Sequence, residues 1–575
     1  MKTILKYSFI VYITIIFNCL SQVKQKNIAR VDLMTNHPKP FEIIDFRQLS
    51  LNFDKIVYDF DAKGKFWPLV WTDNSQKNYP QEVVGIYTAI GDVRQGVNNK
   101  GMFHEALATM GATLGATLVG IDKTKQQNRN YVGMLKNYFN SETGWDIMMN
   151  NTCPEVALLG GGYGRDWWYD VYPNLLFYAI YDKYPKEPGF DEMAKKIANK
   201  FYDADKILNG NYDYSYFDYG KMKPMKNNVC AQPDAAAGHA WVLYSAYKKF
   251  GDKKYLDGAL SALTALEAQT KNPTYELLIP FGAYLSARIN AEQNKNFDID
   301  KMLGWTFDGT PICREGWGIL VGNWNGFDIS GTTGSTVDHG GYGFLMNTYD
   351  SAWPLVPLVR YNQSYANAIG KFMLNAANAS KLFYPDYMPD KHETIPQLAD
   401  AGKGVIAYEG IIKKSNYDKY DYIEAPVAQG DGPLWVPGKN PEESQLSVYG
   451  SGHAGIFGSI IEKTNVDGIL KLDLLATDFF HDKAFPSYLM YNPFDEVKSI
   501  NFYIKKGQKV NLYDTVSQTF IAKNVRNKAN IKIKSQNSVV ILVVPSNGKV
   551  SYKDGKMMVN NVVVDYKYNT KNLKK

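Results

Sequence analysis

Three of the seven histidines lie in glycine-rich turns that interrupt long helical stretches: Gly238-His239, Asp338-His339-Gly340-Gly341-Tyr342 and Gly452-His453-Ala454-Gly455. A fourth turn, Gly160 to Asp170, brings Arg165, Asp166, Trp167, Trp168 and Tyr169 together. Histidine exchanges protons near neutral pH, and glycine lets a ligand come close to the backbone. A guanidinium presents a planar fork that suits a carboxylate or sulfate. Tyr and Trp offer a sugar a flat apolar body with one hydrogen-bonding tip. This inventory matches β-elimination beside a uronate. A base takes the C5 proton, an acid helps the C4 group leave, and a cation or donors hold the carboxylate as charge builds on it. On that chemistry His339 is the base and Tyr169 or Tyr342 the proton donor, with His453 a second acid or base. Arg165, His239 and Gln232 hold the carboxylate or a sulfate. Trp167, Trp168 and Trp324 form walls, and Asp338 flanks the base.

Each of these residues has a plainer reading. An Asp338–His339 hydrogen bond could only shape its loop, and Arg165 could pair with Asp166 or Asp170. His239 and His453 could be buried, satisfied histidines. A second chemistry, hydrolysis by paired carboxylates, would draw on Asp166 with Asp338, or Glu155 with Glu315. Asp234 and Glu409 are further carboxylates near the same turns. A non-catalytic glycan-binding protein would need only the aromatics, which are abundant at 41 Tyr, 28 Phe and 11 Trp. No metal-ligand spacing, phosphate loop or dinucleotide fingerprint is present, so no metal or cofactor is expected.

The elements that must position these turns read as helices. Phe103, Leu107, Met110, Leu114 and Leu118 recur every three or four residues. About a dozen such runs follow, among them 235–250, 253–270, 275–293, 343–361, 364–378, 444–463 and 465–480. Short links such as Gly251-Asp252 join antiparallel helices. Paired helices in this number imply an (α/α) toroid, incomplete or of six hairpins, over residues 96–484. Two long insertions, 303–340 and 380–443, are rich in Gly, Pro and aromatics and are expected to carry function. Residues 23–95 read as a short β-rich segment, on Phe41–Phe46 and Lys55–Phe60. Residues 485–575 read as an antiparallel β-sandwich domain. The class is mainly α with β.

With 575 residues, 45% apolar residues and net charge +6, the chain can bury a full core and shows no concentrated basic stripe for nucleic acid. Lys2 and Lys6 ahead of an uncharged run to Val23 read as a signal peptide over residues 1–22, not a membrane span. Export to the periplasm is expected, or a lipid anchor on Cys19 at the outer membrane. Cys153, Cys230 and Cys313 allow one internal disulfide at most.

The stretches Gly316–Trp324, Asp338–Tyr342 and Asn375–Ser380 resemble secreted proteins of marine bacteria that digest algal polysaccharides. Over roughly residues 95–545 the chain resembles (α/α)-toroid polysaccharide lyases with a C-terminal β-domain, closest to the ulvan-active oligosaccharide dehydratases and lyases. The resemblance implies a carbon–oxygen lyase eliminating across C4–C5 of a uronic acid in an acidic, sulfated oligosaccharide, and it transfers no catalytic residue. A toroid glycoside hydrolase or a glycan-binding surface protein is the alternative.

Overall fold

The structure, a computed structural model, describes residues 22–569 apart from 65–66, 75–78, 91–104, 141–143, 151–165, 395–401, 403, 415–422 and 430–445. The signal segment, Cys19, Glu155 and Arg165 lie outside the described residues, as does the side chain of His339.

Six helical members form a closed inner ring, named below by their first residues. They are Ala106–Leu118, Trp167–Lys183, Ala235–Phe250, Ile279–Gln293, Leu345–Tyr361, and the consecutive pair Val448–Gly452 and Ala454–Ile460. Each packs on the next, and the last packs back on the first. The Trp167 and Leu345 helices are buried almost all round, as a helix enclosed by others must be. Outer helices Phe46–Val57, Phe190–Leu208, Lys253–Glu267, Ile299–Phe307 and Ala366–Ala379 lie against them. The Phe190 helix shows why it sits outside: Phe190, Ala194, Ile197, Phe201 and Leu208 make one apolar face. The connections are short where the sequence says so. Gly251 ends the Ala235 helix at φ +74°, and Asp252 accepts from Lys254 N to start the next.

Ring closure rests on backbones that nearly touch. A Cβ on Gly115 would lie 2.2 Å from Gly452 O, and one on Gly455 would lie 2.1 Å from Gly115 O. His453 fills the adjoining space: a Cβ on Gly111 would meet its Nε2 at 2.0 Å. At the C-terminal end of the ring, buried Asp478 accepts from Arg360 Nη1 at 2.7 Å and from Tyr361 and Tyr284 hydroxyls. Arg288 donates to the carbonyls of Phe479 and Phe480. The segment leading to the β layers is thereby clamped to two ring helices, through charges buried together and hydrogen-bonded throughout.

The C-terminal strands form a six-stranded antiparallel sheet ordered 461–463, 470–473, 487–492, 537–545, 510–514, 519–525. Alternation is strict. Leu489, Tyr491, Val540 and Leu542 face the Ala366 helix side, whereas Met490, Val539, Ile541 and Leu512 face a second layer, Lys498–Tyr503 paired with Lys528–Ile533. The expected toroid with a β-sandwich behind it is therefore present. Among the described residues, no helix is long and apolar enough to cross a membrane.

Two local readings are corrected. Residues 46–57 are a helix, not strands: Phe46, Leu49, Phe53 and Val57 repeat at helical spacing, and Asp45 accepts from Gln48 N as its cap. The short β segment near the N-terminus is instead the hairpin Val70–Asp73 with Val83–Ile86. Residues 465–480 are not helical, because Leu470 and Leu472 alternate inward from a strand.

The glycine crossing makes a sharp prediction. Gly455→Ala should cost ~3 kcal/mol, the upper end of ordinary overpacking, and lower the melting temperature. Gly304→Ala, in an outer helix with nothing within 4 Å of the new Cβ, should gain ~0.5–1 kcal/mol. Melting temperatures of the two variants moving together would contradict the crossing.

Candidate active site

The inner helices share one direction, so their N-terminal ends converge on one rim of the ring. Asp166, Trp168, Tyr169 and Asp170 come from the start of the Trp167 helix, and Gln232 and Asp234 from that of the Ala235 helix. Tyr275 and Glu276 precede the Ile279 helix, Asn347 lies in the first turn of the Leu345 helix, and Tyr449 in that of the Val448 helix. The two long insertions pair with each other. Strands 427–429, 410–412, 342–344, 333–335 and 317–319 form one antiparallel sheet beside this rim, which places Trp317, Tyr342 and, just ahead of Gly410, Glu409. Helix N-termini carry partial positive charge, and a rim of them tolerates many carboxylates.

A chain of hydrogen bonds runs along the rim. Trp168 N donates to Gln232 Oε1 at 3.0 Å, and Gln232 Nε2 donates to Asp166 Oδ1 at 3.2 Å. The Tyr275 hydroxyl donates to the same Asp166 oxygen at 3.2 Å, and Tyr275 N to Asp234 Oδ2 at 2.9 Å. Glu276 receives Arg314 on one oxygen and Asn347 Nδ2, at 3.3 Å, on the other. Arg314 lies 3.7 Å over the Trp317 ring. The Tyr449 hydroxyl donates to Glu409 Oε1 at 3.4 Å. Burial raises the Tyr449 hydroxyl well above its ordinary value, and Glu409, Tyr169, Tyr342 and Glu276 add to this.

The carboxyls are pushed toward the protonated form. Glu276 is raised by burial even though Arg314 opposes it. Asp170 is raised well above the usual range, first by burial and then by Asp166 and Asp218. Asp234 is pushed up to about 7, chiefly by burial, with the Tyr275 N–H opposing and Glu276 assisting. Several buried polar atoms here have no hydrogen-bond partner: Trp168 Nε1, both oxygens of Asp170, Asp234 Oδ1 and Asn347 Oδ1. Each such atom costs ~1–3 kcal/mol, and their concentration at one rim is what a site that completes itself with a polar ligand or water would show.

Of the residues expected to act, Tyr169, Tyr342, Trp168, Gln232, Trp324 and Asp338 fall at or beside this rim. Trp168 and Gln232 are buried and position their neighbours. Asp338 is exposed and acts electrostatically on Arg314. The turn of His339 is a short 3-10 helix, Asp338–Gly340. Three expectations are corrected by packing. His239 has no exposed surface, lies among Trp167, Phe201, Tyr212 and Tyr219, and bonds the Tyr219 hydroxyl at 2.7 Å. Trp167 is equally buried, its Nε1 donating to that same hydroxyl at 3.2 Å. His453 is 1% exposed and bonds Asp350 Oδ1 at 2.7 Å inside the closed ring. None of the three can reach a substrate. Glu276, Arg314, Asn347 and Tyr449 were not anticipated. The only sequence cue was the Tyr275-Glu276 carboxylate just ahead of a helix.

Cys230 and Cys313 form a disulfide with Cα atoms 5.8 Å apart, bridging the loops that carry Gln232 and Arg314.

No family model matches the chain, and no curated protein matches it. Solved structures do. A GH127 β-L-arabinofuranosidase from Geobacillus stearothermophilus T6 aligns at 9% identity over 94% of this chain and 85% of its own, TM-score 0.33. Endoglucanase CelQ from Clostridium thermocellum, complexed with cellotriose, aligns at 13% over 91% and 98%, TM-score 0.32. An α-L-rhamnosidase from Dictyoglumus thermophilum aligns at 11% over 78% and 46%, TM-score 0.32. Likenesses this distant fix neither substrate nor residue roles. What corrects the lyase expected from the sequence is packing: two histidines assigned to elimination, His239 and His453, are sealed in the core.

Two predictions follow from the rim. Asp234 keeps its proton up to about pH 7 when folded but releases it near its ordinary 3.8 when unfolded. Its contribution to stability is thus full below about pH 4 and lost as pH rises to about 7, up to ~4 kcal/mol. Asp234→Asn stays neutral, so its melting temperature relative to the parent should climb across that window and then level off. A constant difference would contradict the assignment. Separately, the disulfide closes a separation of 83 residues. Replacing Cys230 and Cys313 with Ser should cost up to ~4.5 kcal/mol by loop entropy, measured by denaturant unfolding.

Proposed function

We propose that the chain is a glycoside hydrolase whose catalytic pair is Glu276 and Glu409. The observation that carries this reading is that both carboxylates stand at the N-terminal rim of the ring, Glu276 held by Arg314 and Asn347 and Glu409 by the Tyr449 hydroxyl at 3.4 Å. Glu276, whose carboxyl burial shifts toward the protonated form, is the group assigned to protonate the leaving oxygen of a glycosidic bond. Arg314 then stabilises the carboxylate left behind. Glu409, which accepts from the Tyr449 hydroxyl, serves as base or nucleophile on the opposite face of the sugar. Arg314, stacked on Trp317, and the Tyr169 and Tyr342 rings give this rim the polar and aromatic surface a sugar needs. The Cys230–Cys313 bond supports an exported protein, since disulfides persist in oxidising compartments.

The test is release of new reducing ends from a panel of neutral and uronate oligosaccharides, with far-ultraviolet absorbance followed in parallel. Glu276→Gln and Glu409→Gln should each lose 10²–10⁴-fold in kcat, the usual worth of acid–base catalysis, with unchanged circular dichroism. Activity within a few fold of the parent in both variants would sink the pair. Absorbance from an unsaturated product without new reducing ends would sink hydrolysis itself.

A further inference from the structure

Charge is divided unevenly along the chain. Residues 485–575 hold 16 Lys and Arg against 5 Asp and Glu, a net +11, and since the whole chain carries +6 the preceding 484 residues carry −5. The acidic part contains the candidate active site, and the basic part is the β layers. The basic charge has an ordered face. In the two-stranded outer layer, Ile500 and Phe502 point inward with Ala529, Ile531 and Ile533. By the period of two, Tyr503, Asn501 and Ser499 point outward, directly across from Lys528, Asn530 and Lys532 in the register. Lys534 continues the row.

Lys528, Lys532 and Lys534 are exposed, and none lies within ion-pair distance of a carboxylate among the described residues. Successive lysines of the row stand about 7 Å or a multiple of it apart. Tyr503, 71% exposed, presents its ring on the same face. Beside this face a cavity of about 440 Å³ opens between the two layers, with Asp514, Thr519, Asn530, Lys532, Lys534 and Asn537 on its walls over an apolar floor of Ile531 and Val539; the Asp514 carboxylate accepts from the backbone N–H groups of Val516, Ser517 and Val540. That volume falls within the range of small-ligand sites.

We propose that this face and cavity bind an anionic polysaccharide, carboxylated or sulfated, at a place separate from the hydrolytic rim. The lysine row supplies counter-charge, the Asn, Ser and Thr side chains hydrogen-bond ring hydroxyls, and Tyr503 stacks on a pyranose face. A single aromatic is too little for the successive base stacking that single-stranded nucleic acid uses. The choice of a saccharide over other polyanions rests on the hydrolase reading of the rim. The surface would hold an acidic polymer against the protein while an acidic, helix-rimmed cleft works on it.

The test measures fluorescence anisotropy of labelled alginate and labelled dextran sulfate with the full chain. Neutral dextran, an oligothymidylate and phosphatidylserine vesicles are the comparison ligands. Lys528→Glu/Lys532→Glu/Lys534→Glu should weaken binding of at least one anionic polysaccharide tenfold or more and flatten its salt dependence. The corresponding triple Gln variant, which adds no repulsion, should fall between. Tyr503→Ala should weaken binding with the salt dependence kept. Glu276→Gln and Glu409→Gln should bind as the parent does, so loss of the hydrolase reading would leave this one standing. Equal affinity of the parent and the triple Glu variant for both polysaccharides would overturn the proposal. So would tighter binding by the parent to the oligonucleotide or the vesicles than to either polysaccharide.

Discussion

Two backbones in van der Waals contact, at Gly115 and Gly455, decide whether the ring of helices exists. The other helix pairs of the ring are consecutive in chain order, and such pairs would pack in an open arc as well. Only the Ala106 helix against the Val448 and Ala454 helices joins the two ends. Side chains larger than hydrogen would hold these helices apart by more than an ångström, and Glu409, which precedes the closing helices, would move with them. His453 is the wedge of this joint. Its imidazole sits in the space that Gly111 leaves and is tied to Asp350 on the neighbouring Leu345 helix.

Closure in turn explains the electrostatics. Once the ring helices are parallel, their positive ends share a rim, and carboxylates gather there at lower cost than elsewhere. The rim nevertheless departs from what stability alone would select. Asp170 and Asp234 are buried with oxygens left unpartnered, and Glu276 is raised in spite of its arginine. The opposite end shows the contrast. There Asp478 is as deeply buried, yet Arg360, Tyr361 and Tyr284 satisfy it. One chain thus builds a saturated buried charge at one end and an unsaturated set at the other, and departures from polar satisfaction of this kind mark the working end of a scaffold.

Much of this architecture was legible. Helical spacing, the Gly251-Asp252 link and the strict alternation near the C-terminus each reflect a local preference that tertiary structure did not override. The errors were local too. Around residues 41–60, β-branched isoleucines masked the spacing of Phe46, Leu49, Phe53 and Val57, and the leucines of 470–475 mimicked a helix although Leu470 and Leu472 alternate. The site was less legible for a different reason. Glycine beside histidine is the mark of close approach, but sequence does not say whether a ligand or another backbone does the approaching. At His453 it is a helix, and at His239 a cluster of aromatics. Conversely, Glu276 stands in no unusual local context. Its setting is made by Arg314 and Asn347, which are 38 and 71 residues away, and the closeness of Glu409 depends on a sheet built from two separate insertions.

The closing joint also has a consequence in time. His453 reaches the carbonyl of Leu107 across 346 residues, so a ribosome must complete most of the chain before the last ring helix can meet the first. Until then the growing polypeptide is an arc with two raw apolar flanks. Contacts this distant along the chain are slow to form, and partly folded species of this size are prone to stick to one another. The ring closes only after the Val448 helix has been made, and Tyr449, which that helix carries, is the last of the rim residues named above that the chain supplies.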